Sequence, residues 1–472
     1  LDLTPPSATV KADRAAFNPA GREGLNLVRF AQSGSQEERW TGEILGPGGA
    51  VARTYSFGSE PDASVEWDGA DDAGKPVPDG VYSYRLKAVD RAGNAFSSAP
   101  ASVALDTEEK AARLSADQRA FSPNGDGQKD VIRFLPQVQA ADRLRSYELV
   151  VEAVEAAGLA AGSAVRTWKG EKALPEALAW DGKGDAKAQA ADGRYLARLK
   201  ATYVTGEAVE ASTQAFVLDT KAPSLEVKAE SLLFSPNGDG RKDSLGFSQK
   251  SLPGDDWEGR ILAEGGAAGA QPVRSFAWKG QAKDFSWDGA DEAGNRVKDG
   301  LYRYEVSSVD QAGNSFKAQV AGIRVDARAV QVFLTASDTG ISPNGDGFRD
   351  SLSFAPIVNL REGVEGWRLS VVDKGGKELR AFAGKGGDIP ARIDWDGKDA
   401  SGVVVQGEAA GLLAVDYAKG DRAEARTASI LVDVDGPKVD VRLTPEFFSP
   451  DNDGVDDELS IAISVSDAGE TA

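Results

Sequence analysis

Four short loops of this chain set oxygen-bearing side chains at alternate positions. In Asn124-Gly-Asp126-Gly-Gln128-Lys-Asp130, amide or carboxylate oxygens stand at positions 1, 3 and 7, and the backbone carbonyl of Gln128 is offered at position 5. Asn237, Asp239 and Asp243 repeat the spacing, as do Asn344, Asp346 and Asp350. In the last copy Asp451, Asp453 and Asp457 replace the leading amide with a third carboxylate. Hard oxygen donors in this pattern point to calcium.

The spacing matches the first half of an EF-hand loop, where a tightly wound backbone turns alternate residues toward one centre. Calcium takes six to eight oxygens and each loop offers about four, so waters or a distant carboxylate would complete the shell. Such sites bind at roughly 10⁻⁴ to 10⁻³ M, a range suited to extracellular modules. A second reading of the same residues is a plain turn: proline fixes φ, Asn-Gly takes left-handed positions, and aspartates cap free N–H groups. The segment Phe17-Asn-Pro-Ala20-Gly-Arg22-Glu-Gly24 separates the two, because Ala20 and Arg22 occupy ligand positions. If the fold needs only a turn, that copy folds like the others; if calcium stabilises the others, that copy ignores the ion.

Little else in the composition supports chemistry. The chain has no histidine and no cysteine, which removes Ser-His-Asp and Cys-His devices, ordinary zinc sites and disulfides. Paired carboxylates are the hydrolytic scheme that survives, and acids in turn loops are expected to be solvated and ionised rather than poised as proton donors. Against 74 acidic residues stand 54 basic ones, a formal charge of −20 that disfavours nucleic acid as a partner. No unbroken apolar run approaches the roughly 20 residues needed to span a bilayer.

The loops are positioned by a repeat. Phe121-Ser-Pro-Asn-Gly-Asp-Gly127 returns at Phe234, Ile341 and Phe448, 113, 107 and 107 residues further along. Trp67-Asp-Gly, Trp180-Asp-Gly, Trp287-Asp-Gly and Trp395-Asp-Gly keep step with it. Asp79-Gly-Val-Tyr82, Asp192-Gly-Arg-Tyr195 and Asp299-Gly-Leu-Tyr302 follow, with Gln406-Gly407 in the fourth copy. Apolar strands ending at Leu105-Asp-Thr, Leu218-Asp-Thr, Val325-Asp and Val432-Asp mark the boundaries. These landmarks predict complete repeats over 1–106, 107–219, 220–326 and 327–433, with 434–472 the start of a fifth, so that both ends read as cut within a longer array.

Within a repeat, period-two patterning dominates: Tyr82, Tyr84, Leu86 and Ala88 alternate with Ser83, Arg85 and Lys87. Short alternating strands with Gly, Pro, Asn and Asp turns in units near 100 residues predict an all-β fold, a tandem array of Ig-like β-sandwich domains. The four tryptophans fit a sealed core better than a sugar-stacking platform. The Ala-rich stretch Leu149–Ala164 has helical propensity, yet is expected to form the arms of an enlarged hairpin. Leu459, Ile461, Ile463 and Val465 are expected to lack sister strands in this chain, and so to be disordered or paired with a partner.

Trp67-Asp-Gly-Ala-Asp-Asp-Ala-Gly74 with Gly80-Val-Tyr82-Ser-Tyr84 resembles the immunoglobulin-like domain of the bacterial flagellar hook-capping protein. The Phe-Ser-Pro-Asn-Gly-Asp-Gly-x-x-Asp segment is similar to the start of the C-terminal domains of gliding-motility-associated and other secreted bacterial proteins. The second repeat departs from the pattern, replacing Asp-x-Ala-Gly-Asn (90–94 and 310–314) with Tyr203-Val-Thr-Gly-Glu207. The resemblance implies a spacer or attachment module of a bacterial cell surface, periplasmic or secreted protein. The expected function is a non-enzymatic structural or adhesive rod, stiffened by calcium, with a protein or cell-envelope component as partner. The alternatives are accessory domains of a secreted hydrolase and a flagellar or envelope assembly scaffold.

Overall fold

The computed structural model describes residues 2–154, 161–266 and 269–466. The chain forms two compact units, Leu1–Pro223 with Val309–Ser315, and Ser224–Ser308 with Phe316–Ala472.

The first domain shows how the alternation becomes a sandwich. Its strands are β1 (Ala8–Ala12), β2 (Ala16–Phe17), β3 (Val28–Gly34), β4 (Trp40–Leu45), β5 (Val51–Phe57), β6 (Ser64–Trp67), β7 (Gly80–Val89), β8 (Ala95–Ser97) and β9 (Ala101–Leu105). One sheet has the order β1-β3-β6, the other β2-β9-β7-β4-β5 with β8 on β7. β7 buries Tyr82, Tyr84, Leu86 and Ala88 and turns the residues between them outward, as period-two patterning requires. Those side chains meet Val28 and Phe30 of β3 and Trp67 of β6, so one core is shared by two facing sheets.

β2 is only two residues long, yet it pairs in parallel with β9, Phe17 opposite Leu105. The chain thereby crosses from one sheet to the other just before the acidic-loop position. The same step recurs at Phe121 beside Leu218, Phe234 beside Val325 and Ile341 beside Val432. A three-stranded sheet facing a five- or six-stranded one is likewise built from residues 112–218, 225–325 and 332–432.

All four Trp-Asp-Gly indoles are closed off from solvent, with exposures of 0 or 1%. Each donates its Nε1–H to the carbonyl three residues on: Ala70 at 2.8 Å, Lys183 at 2.9 Å, Ala290 at 2.9 Å and Lys398 at 2.8 Å. In the first three domains it packs between the phenylalanine that precedes the loop and the tyrosine of Asp-Gly-x-Tyr, as in Phe121–Trp180 at 5.3 Å and Trp180–Tyr195 at 5.2 Å. A stacking platform for sugars is therefore excluded at these positions.

The Ala-rich stretch is a hairpin in its described arms. Leu144–Val154 pairs antiparallel with Ala161–Glu171, Leu149 opposite Trp168, and residues 155–160 lie outside the described part. The expectation for the last apolar strand is corrected: Ser460–Ser466 finds a partner within the chain, pairing antiparallel with Lys438–Thr444 so that Val441 faces Ile463 and Leu443 faces Ile461. Backbone pairing satisfies one edge of each strand, while Val439, Val441, Ile461, Ile463 and Val465 remain more than half exposed.

Trp180→Ala is expected to destabilise the second domain by about 3–5 kcal/mol, the usual cost of emptying a core tryptophan site. Phe348→Ala, at a position 71% exposed, should leave stability within about 0.5 kcal/mol. Urea unfolding followed by tryptophan fluorescence checks both.

Candidate functional site: acidic loops and the turns seated on them

The loop aspartates are engaged in a fixed pattern. Asp130 accepts the Gly125 N–H at 2.6 Å and the Gly127 N–H at 2.8 Å, one on each oxygen. Asp126 Oδ1 accepts from Gln128 N–H at 2.7 Å and Asn124 Oδ1 from Asp126 N–H at 2.9 Å. Asp243 bonds Gly238 and Gly240, and Asp350 bonds Gly345 and Gly347, in the same way. Asp239 receives Arg241 N–H and Asp346 receives Phe348 N–H, while Asn237 and Asn344 accept from the residues two further on. In the last copy Asp457 takes Asn452 and Gly454, and Asp453 takes Val455. The N–H group of Gly238 foremost holds the Asp243 carboxyl below its ordinary range, and that of Phe348 does so for Asp346.

This geometry delivers the capped turn. A carboxylate has about four lone-pair sites, so these bonds leave oxygen free for a cation. Asp451, Asp453 and Asp457 are brought together, with one oxygen from each lying within 4.8 Å of the others. The first copy makes a different turn, closed by Ala20 N–H to Asn18 Oδ1 at 3.0 Å and Gly21 N–H to Asn18 O at 2.9 Å.

Trp-Asp-Gly supports the loop from beneath. A Cβ on Gly182, whose φ is +77°, would stand 2.6 Å from Pro123 Cγ, so only glycine lets the loop proline lie on the motif. The corresponding aspartates hold their own turns: Asp68, Asp181, Asp288 and Asp396 accept the N–H two residues on, at 3.0–3.2 Å.

Asp-Gly-x-Tyr proves to be a clamp on the link to the following repeat. Asp79 accepts from Thr107 N–H at 3.0 Å and Thr107 Oγ1 at 2.8 Å, Asp192 does the same for Thr220, and Asp299 accepts Ala327 N–H. Gln406 keeps the role in the fourth copy, where its Oε1 accepts Val434 N–H at 3.2 Å. Two of the four boundary aspartates are buried charges with partners: Asp106 meets Lys110 at 3.0 Å, and Asp326 meets Arg328 at 2.6 Å and Lys419 at 3.7 Å. Arg328 foremost pulls the Asp326 carboxyl down to about 2.

A contact that sequence reasoning missed joins these parts. After the strand that starts at Asp-Gly-x-Tyr, each repeat makes a five-residue turn, closed by Tyr203 N–H to Glu207 O and by Tyr417 N–H to Asp421 O in the second and fourth copies. Within the first unit, Glu207 accepts both hydrogens of Asn18 Nδ2, at 3.0 and 3.2 Å. There too, Asn314 Oδ1 accepts Ser122 Oγ–H at 2.6 Å and Asn124 Nδ2 at 3.1 Å, and Lys129 Nζ donates to Gln311 O at 2.6 Å. Within the second unit, Lys242 Nζ donates to Ala418 O at 2.8 Å. Lys129 and Lys242 hold left-handed conformations, with φ of 50° and 46°. The recurrent Asp-x-Ala-Gly-Asn at 90–94 and 310–314 was the available signal.

Among the described residues, every carboxyl whose pKa is displaced is displaced downward. None of these groups is a proton donor at neutral pH, which the acid of a glycosidase pair must be.

No family model and no curated protein matches the chain. Among solved structures it is similar to the tetra-tandem repeat in the extending region of a large adhesion protein, at 17% identity over 91% of this chain and 99% of that one, with a TM-score of 0.29. It is also similar to a structure bearing on host cell surface retention of a 1.5-MDa bacterial ice-binding adhesin, at 13% identity over 69% of this chain and 99% of that one, with a TM-score of 0.28.

The Asp326 carboxyl, lowered in the folded chain, contributes stability that is complete above its unfolded value near 4 and is lost as pH falls through about 2. Asp326→Asn should therefore lower the urea midpoint at pH 7, and the gap from the parent chain should close as the pH is taken from 4 to 2.

Proposed function

We propose that this chain is a non-enzymatic structural and adhesive array of Ig-like domains, part of a bacterial cell-surface, periplasmic or secreted protein, whose acidic loops bind calcium. The observation that carries this reading is the seating of three of the turns on a neighbouring loop. Asn18 with Glu207, and Lys242 with the Ala418 carbonyl, connect successive domains by side-chain bonds in addition to a short link. A hinge held at both the link and the loop transmits position along a chain, which is what a spacer requires and a mobile tether lacks. Calcium fits the same purpose: a cation on Asp451, Asp453 and Asp457 would draw three carboxylates together and stiffen that loop. Its partner would be a protein or a cell-envelope component.

Two experiments test this reading. Because the parent has no cysteine, spin labels at Lys279→Cys and Lys385→Cys report the angle between the third and fourth domains. A narrow distance distribution is expected, broadened by Gly420→Val, whose Cβ would stand 2.9 Å from that of Lys242. An equally broad distribution in both forms would show a free hinge. For calcium, thermal unfolding of the whole chain in millimolar calcium and in EDTA should differ in every transition except that of the first domain. Superimposable curves would remove the ion from the account.

A further inference from the structure

Three steps in this chain read Asn-Gly, and each opens an acidic loop: Asn124-Gly125, Asn237-Gly238 and Asn344-Gly345. Such a step is suited to losing ammonia, because glycine has no Cβ to keep its backbone nitrogen from the side-chain amide carbon of the asparagine. The nitrogen attacks Cγ, the new N–Cγ bond closes a succinimide ring, and the Cγ–Nδ2 bond breaks to release ammonia that carries away the N–H proton. Water then opens the ring to aspartate or isoaspartate, so that asparagine and water become an acid and ammonia overall. All three asparagines are exposed to that water.

The loop withholds the attacking nitrogen. Gly125 N–H is bonded to Asp130 Oδ1 at 2.6 Å, Gly238 N–H to Asp243 Oδ1 at 2.7 Å and Gly345 N–H to Asp350 Oδ1 at 2.7 Å. The second oxygen of each aspartate takes the N–H of Gly127, Gly240 or Gly347, so the segment after the asparagine is pinned at both ends. The asparagine is held as well, since its Oδ1 accepts the N–H of Asp126, Asp239 or Asp346 at 2.9, 2.9 and 3.0 Å. Ring closure requires the glycine nitrogen to leave its aspartate and turn onto Cγ, and these bonds oppose that movement. The Asp243 carboxyl, held below its ordinary range foremost by the Gly238 N–H, is far too weak a base to take a peptide proton, so the bond restrains the nitrogen rather than activating it.

The other two copies lack the chemistry. Asn18 precedes Pro19, whose nitrogen carries no hydrogen, and Asp451 stands where the three loops have asparagine. Asp457 still bonds Asn452 and Gly454 beside that carboxylate, so the loop shape tolerates the aspartate product of deamidation at this position.

We propose that Asn124, Asn237 and Asn344 are latent deamidation sites that the aspartate at the seventh loop position keeps closed, so that loop opening sets the rate of conversion. Conversion has a different consequence at each seat. Asn124 Nδ2 donates to Asn314 Oδ1 at 3.1 Å, so a carboxylate in its place faces an acceptor and loosens the turn. Asn237 Nδ2 donates within its own loop, to Asp239 at 3.3 Å, so its conversion to aspartate leaves Lys242 on the Ala418 carbonyl.

The test incubates the full chain at mildly alkaline pH in EDTA, folded and in concentrated urea, and follows each Asn-Gly step by peptide mapping with mass spectrometry. The unfolded chain should convert all three at similar rates, and the folded chain at least about tenfold more slowly, the factor set by hydrogen bonds to a charged group that must open first. Asp243→Ala should raise conversion at Asn237 about tenfold while Asn124 and Asn344 in the same chain stay slow. Asp243→Asn, which keeps the shape of the side chain and one acceptor oxygen, should raise it less. Equal rates in the folded and unfolded chains, or conversion at Asn237 that Asp243→Ala leaves unchanged or slows, overturns the proposal.

Discussion

The buried indole of Trp-Asp-Gly is the constraint on which the rest of each domain depends. In the first three domains it fills the space between the phenylalanine of the sheet-crossing strand and the tyrosine of Asp-Gly-x-Tyr. Its Nε1–H closes the Asp-Gly turn, and the glycine of that turn supports the loop proline. An acidic loop, a link clamp and a core are thus fixed by one side chain. Remove its volume and three surface features lose their common footing, although none of them touches solvent through the indole itself.

That arrangement explains why motifs far apart in the chain are near each other at a domain junction. The short parallel pairing of Phe17 with Leu105 brings the loop beside the end of the last strand, where Asp106 turns the backbone and Asp79 holds Thr107. The loop and the link therefore emerge together, and the turn of a neighbouring domain meets both. The aspartates that look like ligands in one dimension spend part of their capacity on backbone N–H groups, and this is what gives the loop a shape that another domain can fit.

Much of this was legible in the sequence. Tyr82, Tyr84 and Leu86 announced a half-buried strand, the four tryptophans a core, and Asn-Gly-Asp-Gly a turn with oxygen at alternate positions. The seated turns were not legible, because the contact is preserved as chemistry rather than as residue type. The acceptor is Glu207 in one copy and Asn314 in another, and the donor is Asn18 in one and Ser122 in another. Read as letters, Tyr203–Glu207 looks like drift from Asp310–Asn314; read as donors and acceptors, it keeps the same bond. The strand Lys438–Thr444 was not legible for a related reason: its pairing with Ser460–Ser466 depends on hydrogen bonds across the loop that no local pattern encodes.

The account stands on the loops serving as seats for neighbouring turns, and a double-mutant cycle on Ser122 and Asn314 tests that most directly. Ser122→Ala, Asn314→Ala and the double variant should be non-additive in unfolding free energy by about 0.5–1.5 kcal/mol, the coupling expected of a buried hydrogen-bonded pair. Additive single effects, with coupling indistinguishable from zero, would contradict it.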